Sequence, residues 1–283
     1  MIFCLVHKIV TTNEKGGRRM LAVVGSFVAP MYSYPMQGIL IDEVLFGMTV
    51  EVNRRKNGYC FVKTSYQYAG WVPESCLYFC DAKKWRVNAV AMVNVPTTDI
   101  LSQPYVKADK IATVPKGGLV WVMEYRQHWS KVRMPNGNYG WVANRHLQSS
   151  DKLPNPCHES HFRKALCETA MSYLGTSYRW GGKTCMGIDC SGLVSMAYLL
   201  NGITIYRDAK LKDGFALHPI PVDLIKPGDL IFFPDHVAMY LGEQCFVHST
   251  ASEMGCCVQS FLPNEKNYRR DLAKNILCAG SIF

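Results

Sequence analysis

A thiol that attacks a carbonyl must sit where its anion is stabilised, and Cys190 occupies such a position. The run Tyr178-Arg-Trp-Gly-Gly-Lys-Thr-Cys-Met-Gly-Ile-Asp-Cys190 is a loop with glycines at 181, 182 and 187. Beyond it Cys190, Leu193, Val194, Ala197 and Tyr198 recur at helical spacing, and Asn201-Gly202 provides the stop. Asp189 suits the N-cap, so Cys190 is expected in the first turn. There the helix dipole and unpaired backbone N–H groups favour an anion and should lower the thiol pKa. That environment suits nucleophilic catalysis. The plainer alternative is a buried structural cysteine, one of twelve in the chain.

A nucleophile needs a base. Pro227-Gly-Asp-Leu-Ile-Phe-Phe233 reads as a turn entering a strand, and His236-Val-Ala-Met-Tyr-Leu241, Gly242 and Cys245-Phe-Val-His248 read as a hairpin. His236 and His248 stand six residues on either side of Gly242. A three-residue turn would place them directly opposite each other on one face, whereas a two-residue turn would offset them. As a facing pair, one imidazole takes the thiol proton and the other orients it. The alternatives are two unrelated strand histidines, or a zinc site of two histidines and a cysteine, for which no fourth ligand is evident.

These residues need a scaffold. Ser160 to Leu174 places Phe162, Leu166, Ala170 and Tyr173 at helical spacing, and Gly175 stops that helix. A helix followed by strands makes 156–283 an α+β domain. A polar segment with two prolines, Ser149 to Pro156, marks its boundary. Upstream, Gly70-Trp71-Val72 recurs 70 residues later as Gly140-Trp141-Val142, and Phe46-Gly47 with its following strand recurs as Lys116-Gly117. Ala22 to Pro30 parallels Ala89 to Pro96 as the opening strand of each unit. The order of short alternating strands and turns predicts two small β-barrels, at 20–82 and 85–149, behind an extension of unassigned role at 1–19. Arg18-Arg19 and the apolar run after it imitate a signal peptide, but the repeat favours a strand there. The pattern resembles bacterial SH3 domains, which implies that the barrels either bind wall or peptide or shape the neighbouring cleft.

With 48% hydrophobic and 19% charged residues the chain reads as globular. Its +9 charge is scattered, which argues against a nucleic-acid partner. No apolar run is long enough to span a membrane. The cysteines show neither paired zinc-binding clusters nor a disulfide framework, so a reducing cytoplasm is expected rather than secretion.

Taken together, Asp189-Cys190-Ser191-Gly192, His236-Val-Ala-Met-Tyr and Phe246-Val-His248-Ser resemble, in order, the three triad motifs of the NlpC/P60 cysteine peptidases. The resemblance implies a papain-like fold and a Cys190–His236–His248 triad. With the two barrels ahead, the chain is similar to YkfC-type γ-D-glutamyl-L-diamino acid peptidases. These act on murein peptides that begin with a free L-Ala, and they need no cofactor. By that likeness Tyr178 serves the oxyanion site, Trp180 lines the cleft and Ser191 meets the substrate. Arg207-Asp208-Ala209 matches a substrate-binding motif whose Asp208 pairs with the terminal amine, and Tyr68 is the first barrel's contribution to the cleft. Two features depart from the pattern. Tyr206 replaces a proline, and neither Gln37 nor Glu43 aligns well with the acidic residue expected from the first barrel. The same motifs also fit an acyltransferase or amidase on a related fold, or a wall-binding protein with a silent catalytic domain.

Overall fold

The computed structural model describes residues 20–149 and 153–283. The extension at 1–19 and linker residues 150–152 lie outside the described residues.

Seven strands make up the first module: β1 Met20–Val24, β2 Val28–Tyr32, β3 Leu40–Leu45, β4 Thr49–Lys56, β5 Tyr59–Thr64, β6 Ala69–Pro73 and β7 Leu77–Tyr78. Their sheet order is β3-β2-β6-β5-β4-β1-β7. The second module repeats it with β8 Ala91–Val93, β9 Thr97–Leu101, β10 Lys110–Pro115, β11 Leu119–Arg126, β12 Trp129–Arg133, β13 Tyr139–Ala143 and β14 Leu147–Ser149. Its order, β10-β9-β13-β12-β11-β8-β14, is the same topology. Alternation puts Val50 and Val52 of β4 into one core, and Val120 of β11 into the other. Gly47 and Gly117 both adopt positive φ in the turn before these strands, and each donates its N–H to the opening strand, at Val24 and Val93.

Those bonds correct two expectations. The opening strands correspond at Val24 and Val93, two residues away from the alignment of Ala22 with Ala89. Residues 85–88 are also helical rather than part of a strand. They lie in helix α1, Ala82–Asn88, which Asp81 caps by accepting from the Lys84 N–H. Trp85 is buried against Val23, Ala82 and Ala89, and its indole N–H donates to the Gly47 carbonyl at 2.7 Å. The helix therefore plugs the joint between modules. The repeated tryptophans have a packing role: Trp71 and Trp141 are nearly buried, each beneath an arginine, Arg54 at 5.0 Å and Arg126 at 5.1 Å.

The C-terminal domain opens with α2, Glu159–Met171, whose Phe162, Leu166 and Ala170 face inward as their spacing predicted. A short pair, β15 Lys183–Thr184 and β16 Gly187–Ile188, precedes α3, Cys190–Leu199. A six-stranded sheet follows, built from β17 His218–Ile220, β18 Leu230–Phe233, β19 His236–Gly242, β20 Cys245–Thr250, β21 Gly255–Ser260 and β22 Cys278–Ser281. Helix α4, Arg270–Ala273, lies between the last two.

The three units share packing. Phe46 of the first module is buried in the core of the second, which contributes about 2–3 kcal/mol. Leu45 and Met92 join the main core of the C-terminal domain, and Gly117 abuts Met196 of α3. Both modules thus brace the helix that bears Cys190.

Candidate active site

Helix α3 begins at Cys190 and is capped by Asp189, as its sequence predicted. The Asp189 carboxylate accepts from the N–H groups of Gly192 and, across the loop, Gly181. Glycine is required at 192, because a Cβ there would lie 2.2 Å from the Gly182 carbonyl oxygen. The loop can therefore close tightly over the helix start.

The two histidines meet in a different register from the expected one. The turn of the hairpin has two residues, Glu243 and Gln244, both at positive φ, with Gly242 paired to Cys245. A bulge at Leu241 then shifts the ladder by one, so that Tyr240 faces Phe246 and Met239 faces Val247. Continued, this register sets His248 opposite Ala238 and puts His236 diagonally beside it on the same face. Nε2 of His236 and Nδ1 of His248 lie 2.7 Å apart. Nε2 of His248 lies 2.7 Å from Oε1 of Gln259, a residue that sequence reading missed. Gln259 sits on β21, diagonal to His248 and on its face of the sheet.

Cys190 is 7% exposed and lies where β19 begins. Backbone N–H groups of Val237 and Ser191 point at its sulfur and favour the thiolate. Burial outweighs them, and the neighbouring Asp189 carboxylate adds to it, so the thiol is pushed up to about 11. Backbone N–H groups at the helix start pull the thiol down as expected, but burial sets the net direction upward. Burial also holds His236 down at about 4 and His248 at about 3. The Cys190 thiol is therefore neutral at rest, and so are both imidazoles.

Against this geometry the comparisons are specific. Residues 175–271 match the NlpC/P60 family. The chain is 37% identical over 273 residues to dipeptidyl-peptidase 6 of Lysinibacillus sphaericus, covering 93% of this chain and all of that protein. A γ-D-glutamyl-L-lysine dipeptidyl-peptidase of Bacillus cereus is 28% identical over 236 residues, covering 76% of this chain and 68% of that one. The crystal structure of an NlpC/P60 family protein from Bacillus cereus superposes with a TM-score of 0.77 at 21% identity, covering 92% and 98% of the two chains.

The chain belongs to the NlpC/P60 family. It is a cysteine peptidase with the papain-like catalytic domain of that family, and the remaining site residues are read in that light. Tyr178 lies beside the peptidase loop, and its hydroxyl is pushed up to about 12 by burial, with the nearby Cys190 and Asp189 adding to the shift. It is thus a neutral donor at working pH. Trp180 is 61% exposed, free to present its ring to a ligand. Asp208 accepts from the hydroxyl of Tyr68 at 2.8 Å, so a residue of the first module and one of the peptidase domain meet. Tyr206, which stands in place of the proline, packs edge-on against Tyr68, and its hydroxyl is pushed up by burial and the nearby Asp208 carboxylate.

Arg207 is a correction. It is 2% exposed and its donors are all directed at protein acceptors, so it has none left for substrate. Nη1 donates to Asp189 Oδ1 and Ser191 Oγ, Nη2 to Asp189 Oδ2 and the Gly182 carbonyl, and Nε to Asp42 Oδ1 at 2.6 Å. Ser191, also buried, is enclosed in the same network, which accounts for its hydroxyl without a substrate contact. Asp42 further pairs with Lys183 at 2.8 Å and accepts from Tyr66. Two buried cations and two buried carboxylates thereby join the first module to the N-cap of the helix that begins at Cys190.

Glu43, next to Asp42, accepts from the Lys183 N–H at 3.0 Å and Arg179 at 3.3 Å, and burial raises its pKa. Adjacent acids inside the apolar run Leu40-Ile-Asp-Glu-Val-Leu45 were the available signal for this junction. Two such charges in a strand core require partners.

Proposed function

We propose that the protein hydrolyses the bond between γ-D-Glu and L-Lys or diaminopimelate in murein peptides whose L-Ala terminus is free. The observation that carries this reading is the Tyr68–Asp208 contact. A carboxylate held by the Tyr68 hydroxyl, at the seam of module and peptidase domain, suits an ammonium group at one end of a short peptide. The names of the two relatives, a dipeptidyl-peptidase and a γ-D-glutamyl-L-lysine dipeptidyl-peptidase, support a dipeptide as the released acyl portion.

In this mechanism His236 takes the Cys190 proton as the sulfur attacks the γ-carbonyl carbon. The tetrahedral oxyanion is met by the Tyr178 hydroxyl and the Cys190 backbone N–H. The imidazolium then protonates the leaving amine, and water, deprotonated by His236, releases L-Ala-D-Glu from the thioester. His248 orients His236 throughout. Because the resting thiol is neutral, its ionisation is coupled to substrate attack rather than completed beforehand.

The two N-terminal modules are SH3-like in this proposal, and the first acts as a wall of the cleft. The eleven described cysteines are all free, which fits a peptidase of the reducing cytoplasm engaged in recycling released wall peptides.

The test is mass spectrometry of L-Ala-γ-D-Glu-L-Lys and its diaminopimelate counterpart, each with a free or an acetylated amine. Loss of a charge-assisted contact is worth about 1.5–3 kcal/mol, so acetylation should lower kcat/KM about 10- to 150-fold. Equal cleavage of free and acetylated peptides contradicts the amine-binding role of Asp208.

A further inference from the structure

The hydrogen bonds behind the triad have a direction, and that direction is set at a residue remote from the thiol. Gln259 lies between two charged groups of opposite demand. Its Oε1 accepts from Arg269 Nη1 at 2.8 Å, and its Nε2 donates to Glu253 Oε1 at 3.2 Å. Rotating the amide by half a turn would set NH2 against a guanidinium and oxygen against a carboxylate, so the orientation shown is the one that both neighbours accept. Arg269 is itself fixed. Asp271 accepts from its Nε at 2.8 Å and its Nη2 at 2.6 Å, Ser252 accepts from Nη1, and the Arg269 N–H donates to the Ser260 carbonyl.

The consequence runs along the chain of contacts. An oxygen at Oε1 obliges His248 Nε2 to carry the hydrogen in that 2.7 Å contact. Neutral His248 then offers a lone pair at Nδ1, which obliges His236 Nε2 to be the donor. His236 is left with its lone pair at Nδ1, the nitrogen not engaged by His248. We propose that Arg269, acting through Gln259, is a positioning residue that selects the Nδ1-basic tautomer of His236 and so readies it to take the Cys190 proton.

When His236 is charged, both of its nitrogens are donors and His248 Nδ1 still accepts, so no group behind it must rotate during turnover. The polarity fails if His248 itself takes a proton, since both its nitrogens would then donate. Burial of the two rings opposes that outcome first, and the Arg269 charge adds to it at both, partly offset by Asp271. Other charged or titratable neighbours of this chain are Glu253, at Gln259, and Cys257, which pairs across from His248 and faces Arg269 and Glu253.

The inference rests on the triad assignment above, and its test is read without substrate. Long-range proton–nitrogen NMR of 15N-histidine protein at pH 7, assigned with His236→Ala, should show His236 protonated at Nε2 and bare at Nδ1. Arg269→Met should give mixed tautomers, lower kcat about ten- to a hundredfold with KM within twofold, and move the acid limb of kcat/KM upward. Arg269→Lys, which retains a cationic donor, should restore the tautomer and most of kcat. A wild-type His236 bare at Nε2 overturns the proposal even if every variant fails to fold. So does an Arg269→Met protein with unchanged tautomers and pH profile. Failure of the triad assignment would instead appear as hydrolysis surviving Cys190→Ala, with wild-type histidine spectra unaffected.

Discussion

Replacing Asp42 with Asn removes one charge from the buried junction while keeping the side chain's shape. In the native protein Asp42 and Asp189 balance Lys183 and Arg207, all nearly inaccessible to water. Those partners hold the Asp42 pKa below its ordinary value even though burial raises it, so the carboxylate is charged. Asp42→Asn leaves two cations facing one carboxylate. Breaking a buried ion cluster in this way costs about 3–5 kcal/mol. At about 3 °C per kcal/mol for a chain of this size, Tm should fall about 10 °C. The exposed pair of Arg126 and Glu124 is the control, and Glu124→Gln should cost under about 1 kcal/mol.

The same substitution should reach Cys190, from which Asp42 is separated by Arg207. The guanidinium favours the Cys190 thiolate, and with less counter-charge around it the thiol pKa should drop from about 11. Urea unfolding and scanning fluorimetry read the stability, and the pH dependence of iodoacetamide alkylation reads the thiol. An Asp42→Asn protein as stable as Glu124→Gln, with an unshifted alkylation profile, would refute the claim that this module braces the active site electrostatically.

Tyr68→Phe deletes one donor to Asp208 and should raise KM for free-amine peptides about fivefold at nearly constant kcat, measured by steady-state kinetics. An unchanged KM would remove Tyr68 from the site. Gly192→Ala forces a Cβ onto the Gly182 carbonyl and should leave little soluble, active enzyme, whereas Gly58→Ala, with open space around it but positive φ, should cost about 1 kcal/mol in a denaturant titration. Acid should destabilise the fold between pH 6.5 and 4. Both imidazoles titrate lower in the native protein than in the unfolded chain, so the unfolded chain binds more protons and stability rises with pH across that window. His248→Gln should flatten that dependence in urea midpoints measured from pH 4 to 7.

The helix that begins at Cys190 and the meeting of His236 with His248 were legible because each leaves a local mark: a cap and a helical period in one case, two histidines near a glycine turn in the other. Their register was not, because a bulge at Leu241 depends on how three strands stack, and no residue type announces it. The charged junction was half visible. Asp42 and Glu43 interrupt an apolar strand, but their partners Arg207 and Lys183 lie more than 100 residues away, and only the docked modules bring them together. Gln259 and Arg269 left no mark, since a glutamine on a strand and an arginine before a short helix have many uses. The thiol's environment was misjudged because helix-start effects are local, whereas the burial that overrides them comes from the whole domain.

The measurement that tests the central claim most directly is intact-protein mass spectrometry of enzyme acid-quenched during turnover of L-Ala-γ-D-Glu-L-Lys. The account predicts an adduct equal to the L-Ala-γ-D-Glu acyl group, located on Cys190 by peptide mapping and missing from Cys190→Ala. Turnover by the Cys190→Ala protein, or an acyl adduct on any other residue, would contradict it.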